Sequence, residues 1–183
     1  MSPTSIVILV IAVLVVIGIA VMIIRGRQRD RLKGHFGAEY EHQVEASGGS
    51  KAKAEAELLK REKRIRKLDI RDLSPAERDG FADEWQKVQA RFVDDPERSI
   101  ALADALVAEV MKARGYPVQD FEQRAADISV DHPKLVENYR AAHEIAIRHS
   151  RGQAGTEDLR AAFLGYRSLF DELLGAEQPE LAH

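Results

Sequence analysis

Three histidines in the second half of the chain, His132, His143 and His149, are the first candidates for metal chemistry. On a helix, positions 132 and 143 are separated by about three turns, so they share roughly one face. His149 falls on a different face, and three imidazoles on one helix therefore do not converge on a metal ion. We predict no metal site. We expect His132 to contribute to a turn before Pro133, and His143 to be a hydrogen-bonded histidine at the edge of a core.

The sequence lacks the common motifs of enzymatic chemistry. His143-Glu144 is not followed by the second histidine of H-E-x-x-H, and Gly48-Gly49 follows no strand and lacks the lysine–hydroxyl pair of a phosphate loop. The chain has no cysteine, which excludes disulfides, thiolate chemistry and zinc sites built on cysteine. We predict that the protein is not an enzyme and that it uses no cofactor.

The densest polar stretch runs from Arg114 to Arg140, where arginines alternate with carboxylates. Arginine is favoured in such a setting because its planar guanidinium binds a carboxylate through two hydrogen bonds. Two interpretations follow. The ion pairs can fix the crossing between two helices, or they can line a polar groove that takes a peptide or a small ligand. The candidate groove residues are Arg114, Tyr116, Asp120, Glu122, Arg124, Asp131, His132 and Arg140.

Apolar residues recur at helical spacing along the chain from residue 70, and no segment alternates with period two. The pattern predicts an all-α protein, with a bundle of about four amphipathic helices over residues 70–175. The tail, 176–183, is expected to be disordered. The large apolar side chains expected in the core are Phe81, Trp85, Phe92, Leu106, Tyr139, Phe163 and Phe170.

Capping residues predict where these helices begin and end. Ser74 and Glu77 form a capping box, and Asp95 precedes a proline at the first helical position. Gly115 and Gly175 are expected to stop helices. A further helix is predicted from Asp131-His132-Pro133 to about Ser150, and Thr156 is the predicted N-cap of the last one. Residues 120–127 are expected to form a short helix or a turn.

Two segments precede the bundle. Residues 26–50 are a basic stretch predicted to form a short, partly broken helix near lipid headgroups, with Phe36 and Tyr40 at the interface. It ends in a flexible break at residues 47–50. Residues 51–69 are dense in strong helix formers and charges, which predicts a solvated, charged helix or half of a short coiled coil.

The N-terminal part contains an apolar run of 19 residues, IVILVIAVLVVIGIAVMII, from Ile6 to Ile24. As a helix this run is about 28 Å long, close to the hydrocarbon thickness of a bilayer. We predict a transmembrane helix at residues 5–25, which includes Leu14 and Gly18. A cleaved signal peptide is disfavoured because no basic residue precedes the run and no A-x-A site follows it. A buried core helix is disfavoured because the run is apolar on every face.

A basic collar follows the apolar run and predicts its orientation. It consists of Arg25, Arg27, Arg29, Arg31 and Lys33, whereas residues 1–5 carry no charged side chain. Basic flanks are retained on the cytoplasmic side, so we expect a single-pass protein of the inner membrane with its soluble domain in the cytoplasm.

The net charge is positive in the first part of the chain and negative in the rest. Residues 1–67 hold 13 Lys/Arg against 7 Asp/Glu, and residues 68–183 hold 14 against 23. Anionic lipids attract the first part, so the lipid bilayer is a predicted partner. An acidic domain is a poor candidate for nucleic-acid binding, because phosphate neutralisation supplies most of that affinity.

The chain also resembles a known family. The segments that carry the resemblance are, in order, FVDDP, RGYP, FEQRAADISVDHP, VENYRAAH, TEDLR and YRSLFDELL. Together they are similar to an uncharacterised family of bacterial single-pass membrane proteins, over about Leu32 to Leu174. The resemblance implies a bacterial, membrane-anchored, helical protein and carries no site residues.

Two functions are consistent with these features. The first is a non-enzymatic interaction module, anchored in the membrane, whose acidic bundle recruits a protein partner or self-associates. The alternative is an anchored ligand sensor whose polar groove lies around residues 114–140.

Overall fold

The computed structural model describes residues 3–175, with side chains from Ala12 onward. Within that range all regular secondary structure is helical and there is no strand, which confirms the all-α prediction. The predicted tail, 176–183, lies outside the described residues. The helices are α1 (Pro3–Phe36), α2 (Ala38–Ala46), α3 (Lys51–Ile65), α4 (Pro75–Arg91), α5 (Pro96–Arg114), α6 (Phe121–Asp131), α7 (Pro133–Ser150) and α8 (Thr156–Leu174).

Local capping chemistry sets most of the helix starts. The Glu77 N–H donates to Ser74 Oγ over 3.3 Å and the Ser74 N–H donates to Glu77 Oε2 over 2.8 Å, which confirms the capping box of α4. Asp95 caps α5 ahead of Pro96, also as predicted. Asp120 caps α6 by accepting from the Gln123 N–H, so the segment predicted as a short helix or turn is an 11-residue helix.

The start of α8 corrects one prediction. Thr156 was expected to be the N-cap, but it is the first helical residue and Gly155 holds the cap position. The Asp158 carboxylate accepts a hydrogen bond from the Gly155 N–H over 2.8 Å. A carboxylate three residues into the helix satisfies this backbone donor, so no hydroxyl is needed at the cap.

Glycines end α5 and α8, as predicted. Gly115 follows α5 with φ 98° and Gly175 follows α8 with φ 70°, both in the left-handed region that glycine adopts without strain. A Cβ on Gly115 would also lie 2.5 Å from the Asp69 carbonyl oxygen. Gly115 is therefore required both by its backbone angle and by the close passage of the segment after α3.

The main core surrounds α8, which packs against α7 and α5. Trp85 of α4 stacks on Phe163 and Phe170 of α8, with ring centroids 5.1 and 4.5 Å apart. Of the seven residues predicted for the core, five are buried, while Phe81 and Phe92 are partly buried against it. The bundle that contains this core has α6 in addition to the four longer helices that the sequence predicts.

Among the described residues, no helix is both long enough and apolar enough to cross a membrane. The span predicted at 5–25 stays a prediction. Its first side chains, including that of Ile6, lie outside the described part. Leu14, Gly18 and Ile24 all lie on α1, and the Leu14 and Ile24 side chains are exposed.

A second, smaller core forms where α1 ends. It consists of Leu32 and Phe36 of α1, Tyr40 of α2 and Leu58 of α3, with Val130 of α6 against it. This corrects the expectation that Phe36 and Tyr40 lie among lipid headgroups, because both are 0% exposed. The two aromatic side chains that the sequence pattern places at a lipid interface are instead buried between helices of the same chain.

The segment between α2 and α3 is a turn in which Gly48 and Gly49 have positive φ, in agreement with the predicted break. The following helix, α3, does not stand apart as a solvated spacer. Its stripe, which includes Ala54 and Leu58, is buried against neighbouring helices of the same chain. The narrow apolar stripe that suggested a coiled coil therefore packs against other helices of the same chain.

Candidate functional site

A buried network of ion pairs joins α2 and α3 to α6 and α7. We call it the arginine clasp, defined as Arg61, Arg64 and Arg140 with Glu39, Glu122 and Asp127. At its centre, Glu39 accepts from Arg61 Nη1 over 2.7 Å and from Arg140 Nε over 3.2 Å. The Glu39 side chain is 1% exposed and that of Arg61 is 8% exposed. One buried carboxylate thus receives guanidinium groups from two different helices.

Further contacts extend the arginine clasp. Arg140 Nη1 donates to Glu122 over 2.6 Å, and Arg61 also donates to Gln43 and Ser129. Arg64 pairs with Asp127, which is fully buried. Because buried charges are costly unless they are paired and hydrogen-bonded, these contacts couple the positions of α2 and α3 to those of α6 and α7.

Part of the basic collar belongs to the same region. Arg31 donates hydrogen bonds from Nη1 and Nη2 to the Glu62 carboxylate over 2.9 and 3.0 Å. Arg29 pairs with Glu55 over 2.7 Å. Lys33 lies 3.4 Å from Glu41. Three of the five basic residues predicted to face lipid headgroups therefore pair with carboxylates of α2 and α3. The other two, Arg25 and Arg27, are exposed on α1.

The predicted groove residues are divided among separate contacts. Arg114 donates to the Leu173 carbonyl over 3.0 Å and lies 3.4 Å from Asp72. The Tyr116 hydroxyl donates to Asp131 over 2.6 Å. These contacts lie at the end of α5, where the chain turns towards α6.

The remaining groove residues have other partners. His132 Nδ1 is 3.1 Å from a carboxylate oxygen of Glu172, and Asp120 caps α6. Arg124 binds both carboxylate oxygens of Asp104 on α5, over 3.1 and 2.8 Å. Arg140 and Glu122 are in the arginine clasp. The eight residues are divided among several separate contacts, and the structure does not bring them together into one groove.

A cavity of about 330 Å³ lies elsewhere in the bundle. We call it the α5–α7 cavity, because residues of α5 and α7 form its walls while Leu159 and Tyr166 come from α8. Its lining residues are Glu97, Ile100, Ala101, Asp104, His143, Ala146, His149, Ser150, Leu159 and Tyr166.

His143 forms part of one wall of this cavity. Its ring stacks on Phe121 with centroids 3.5 Å apart and an interplanar angle of 7°. Burial lowers the pKa of His143, although the nearby Asp104 carboxylate opposes that shift. No hydrogen bond to His143 is found within the described part of the chain, so the expected hydrogen-bonded histidine is instead a stacked one.

Tyr166 is the most enclosed polar side chain of the cavity, at 1% exposure. Burial, reinforced by the negative charge of Asp104, raises the pKa of its hydroxyl, which is therefore a neutral group at physiological pH. No described residue is a hydrogen-bond partner of this hydroxyl, in contrast to Tyr139 next to it, which donates to Asp104 over 3.1 Å.

The two remaining histidines are placed separately. His149 lines the mouth of the α5–α7 cavity, with Nδ1 2.9 Å from the Ala154 carbonyl oxygen and Nε2 3.6 Å from Glu97. His132 lies against Glu172 outside this cavity. Among the described residues, no three histidine, aspartate or glutamate side chains converge to hold a metal ion.

Sequence reasoning missed the α5–α7 cavity. One signal was available, because Glu97, Ile100, Ala101 and Asp104 follow the i, i+3, i+4, i+7 spacing of a single helix face. That face carries a carboxylate at each end, which is unusual for a face directed inward. The sequence pattern does not reveal that α7 leaves space opposite it.

The fold and these contacts define an all-α bundle that is joined by ion pairs to the end of a long N-terminal helix. No protein-family model, curated protein or solved structure matches this chain. The resemblance to a bacterial membrane-protein family therefore stays a prediction.

Proposed function

We propose that this chain is a membrane-anchored, non-enzymatic interaction module whose bundle is held in a fixed position relative to its anchor. The observation that carries the proposal is the continuity of α1. This one helix runs from exposed apolar residues around Val16 to Leu32 and Phe36, which are completely buried in the smaller core. A membrane helix of this kind is not a flexible tether, because its end is a structural part of the domain.

The ion pairs around α1 support the same proposal. Arg29 and Arg31 pair with α3, and the arginine clasp then joins α2 and α3 to the bundle. Arg25 and Arg27 are exposed on α1, next to its apolar stretch, where they are suited to anionic headgroups. The bundle is proposed to lie in the cytoplasm close to the inner membrane, where it meets a protein partner or a second copy.

Membrane extraction tests the anchor. The double variant Val16→Arg/Ile19→Arg places two charges on exposed positions of α1, and the matched control Val93→Arg places one on an exposed position of the bundle. We expect the wild-type chain and the control to remain with membranes after alkaline carbonate washing, and the double variant to be released. Release of the wild-type chain would contradict the anchor.

Orientation and partner need separate measurements. A reporter fused after His183 is expected to be active only in the cytoplasm, and activity outside the cell would contradict the proposed orientation.

A photo-crosslinker at Leu164, which is exposed on α8, is expected to capture one defined protein or a second copy of the chain. A crosslinker at Met22 on α1 serves as the comparison. Lipid adducts alone at both positions would contradict the interaction role.

A further inference from the structure

We propose that the α5–α7 cavity binds a linear aliphatic diammonium cation. This inference concerns only the bundle, and it does not depend on the proposed membrane anchor.

The charges of the cavity favour a cation with two separated positive groups. Glu97 and Asp104 line it seven positions apart on α5, which is about 10 Å along the helix axis. No lysine or arginine is among the described residues that line it. Two carboxylates at this separation do not share one small ion, but each can accept from one end of a diamine.

Asp104 keeps the capacity to accept another hydrogen bond. Its Oδ1 receives Arg124 and Tyr139, whereas Oδ2 receives Arg124 alone, over 2.8 Å. A carboxylate oxygen has two lone pairs, so Oδ2 has room for one more donor. Glu97 is largely exposed at the other end, and its Oε2 lies 3.6 Å from His149 Nε2.

The surface between the two carboxylates is apolar. Ile100 and Ala101 of α5, Ala146 of α7 and Leu159 of α8 line it. Methylene groups buried there are removed from water, which favours binding, whereas a hydrated inorganic ion gains nothing from such a surface. An alkyl chain with an ammonium group at each end therefore fits this distribution of charge and apolar surface.

The Tyr166 hydroxyl is an independent reason to expect a ligand. Tyr166 is 1% exposed and lines the cavity, yet no described residue is a hydrogen-bond partner of its hydroxyl. The hydroxyl oxygen itself is accessible from the cavity, so a ligand there can supply the hydrogen bond that no described residue makes. Its oxygen can accept from an ammonium group held at Asp104, and the neutral ring of His143 offers a second acceptor in the same cavity.

Isothermal titration calorimetry of the full chain in detergent tests the proposal, with hexamethylenediamine as the probe. Hexylamine has the same alkyl chain with one charge, and ethylenediamine has two charges but is too short to reach both carboxylates. We expect hexamethylenediamine to bind at least about tenfold more tightly than either compound, as the loss of one charged hydrogen bond implies.

Two variants locate the site. Tyr166→Phe removes a hydroxyl that has no partner in the described chain, so it should leave the melting temperature unchanged while weakening hexamethylenediamine about tenfold. Glu97→Gln should also weaken the diamine. Its matched control is Glu109→Gln, an exposed carboxylate of the same helix that does not line the cavity. The control should bind like wild type.

Three results would overturn the proposal. One is equal affinity for hexamethylenediamine and hexylamine, because a second ammonium would then contribute nothing. Another is equal weakening by Glu97→Gln and Glu109→Gln, which would indicate attraction by net charge alone. The third is the absence of saturable binding up to about 10 mM diamine, a limit that corresponds to negligible affinity.

Discussion

Glu39 on α2 and Arg140 on α7 lie 101 residues apart in sequence, yet Arg140 donates two hydrogen bonds to Glu39, each over 3.2 Å. The same carboxylate accepts from Arg61 of α3. Glu39 is therefore the residue on which the two halves of the described chain converge. It is the one carboxylate of the arginine clasp that pairs with two guanidinium groups, which makes it the most sensitive member.

Glu39→Ala is expected to lower the free energy of unfolding by about 3 kcal/mol, because it leaves two buried guanidinium groups without their shared partner. Chemical denaturation followed by circular dichroism measures this change. The matched control is Glu41→Ala on the same helix, where an exposed carboxylate lies 3.4 Å from Lys33. The control should cost less than about 0.5 kcal/mol. Similar losses in the two variants would contradict the central role of Glu39.

Gly115→Ala is expected to destabilise the chain more than Gly152→Ala does. Both glycines have positive φ, 98° and 72°, so both substitutions introduce backbone strain of about 1 kcal/mol or more. Only at position 115 would the new methyl group also meet a backbone oxygen, that of Asp69, whereas position 152 has open space. The difference between the two melting temperatures measures the cost of that contact. Equal shifts would show that the segment after α3 moves away from the new methyl group at little cost in free energy.

Trp85 offers a test of packing against hydrogen bonding. Its indole nitrogen is buried without a partner in the described part of the chain, while its ring stacks on Phe163 and Phe170. Trp85→Ala should cost about 3–5 kcal/mol because it leaves a cavity in the main core. Trp85→Phe should cost under about 1.5 kcal/mol, since it keeps a ring and removes an unsatisfied donor. Urea midpoints compare the two, and a larger loss for phenylalanine would indicate that the nitrogen has a partner.

The lowered pKa of His143 is expected to make the stability of the fold depend on pH. Burial lowers its pKa below the ordinary value of 6.5, so the unfolded chain takes up a proton at a higher pH than the folded chain does. The contribution of His143 to the free energy of unfolding is therefore fully present above about pH 6.5 and falls as the pH drops towards the folded pKa. Melting temperatures of His143→Asn should depend less on pH than those of wild type. His42→Asn, at an exposed position of α2, is the matched control.

Local features were the ones that the sequence predicted well. The capping box of Ser74 and Glu77, the Asp95 cap and the glycines that end α5 and α8 all depend on residues within a few positions of one another. Such interactions form within a single turn and need no tertiary partner. The same reasoning failed by one residue at Thr156, where Asp158 reaches the cap position from inside the helix.

Longer-range contacts were predicted less well, for a physical reason. A charged residue on a helix face has many possible partners of opposite sign, and only the packing of helices chooses among them. Arg124 was a candidate groove residue without an assigned partner, and in the structure it binds Asp104 of α5. Phe36 and Tyr40 were expected at a lipid interface, and they form a small core with Leu58.

The helical class of the described chain and most of its helix boundaries follow from local sequence, because capping residues and apolar periodicity act over one or two turns. The pairing of each arginine with its carboxylate and the cavity between α5 and α7 arise only when the helices pack together. Both depend on how side chains from distant segments fill space together, and no property of one segment specifies that arrangement.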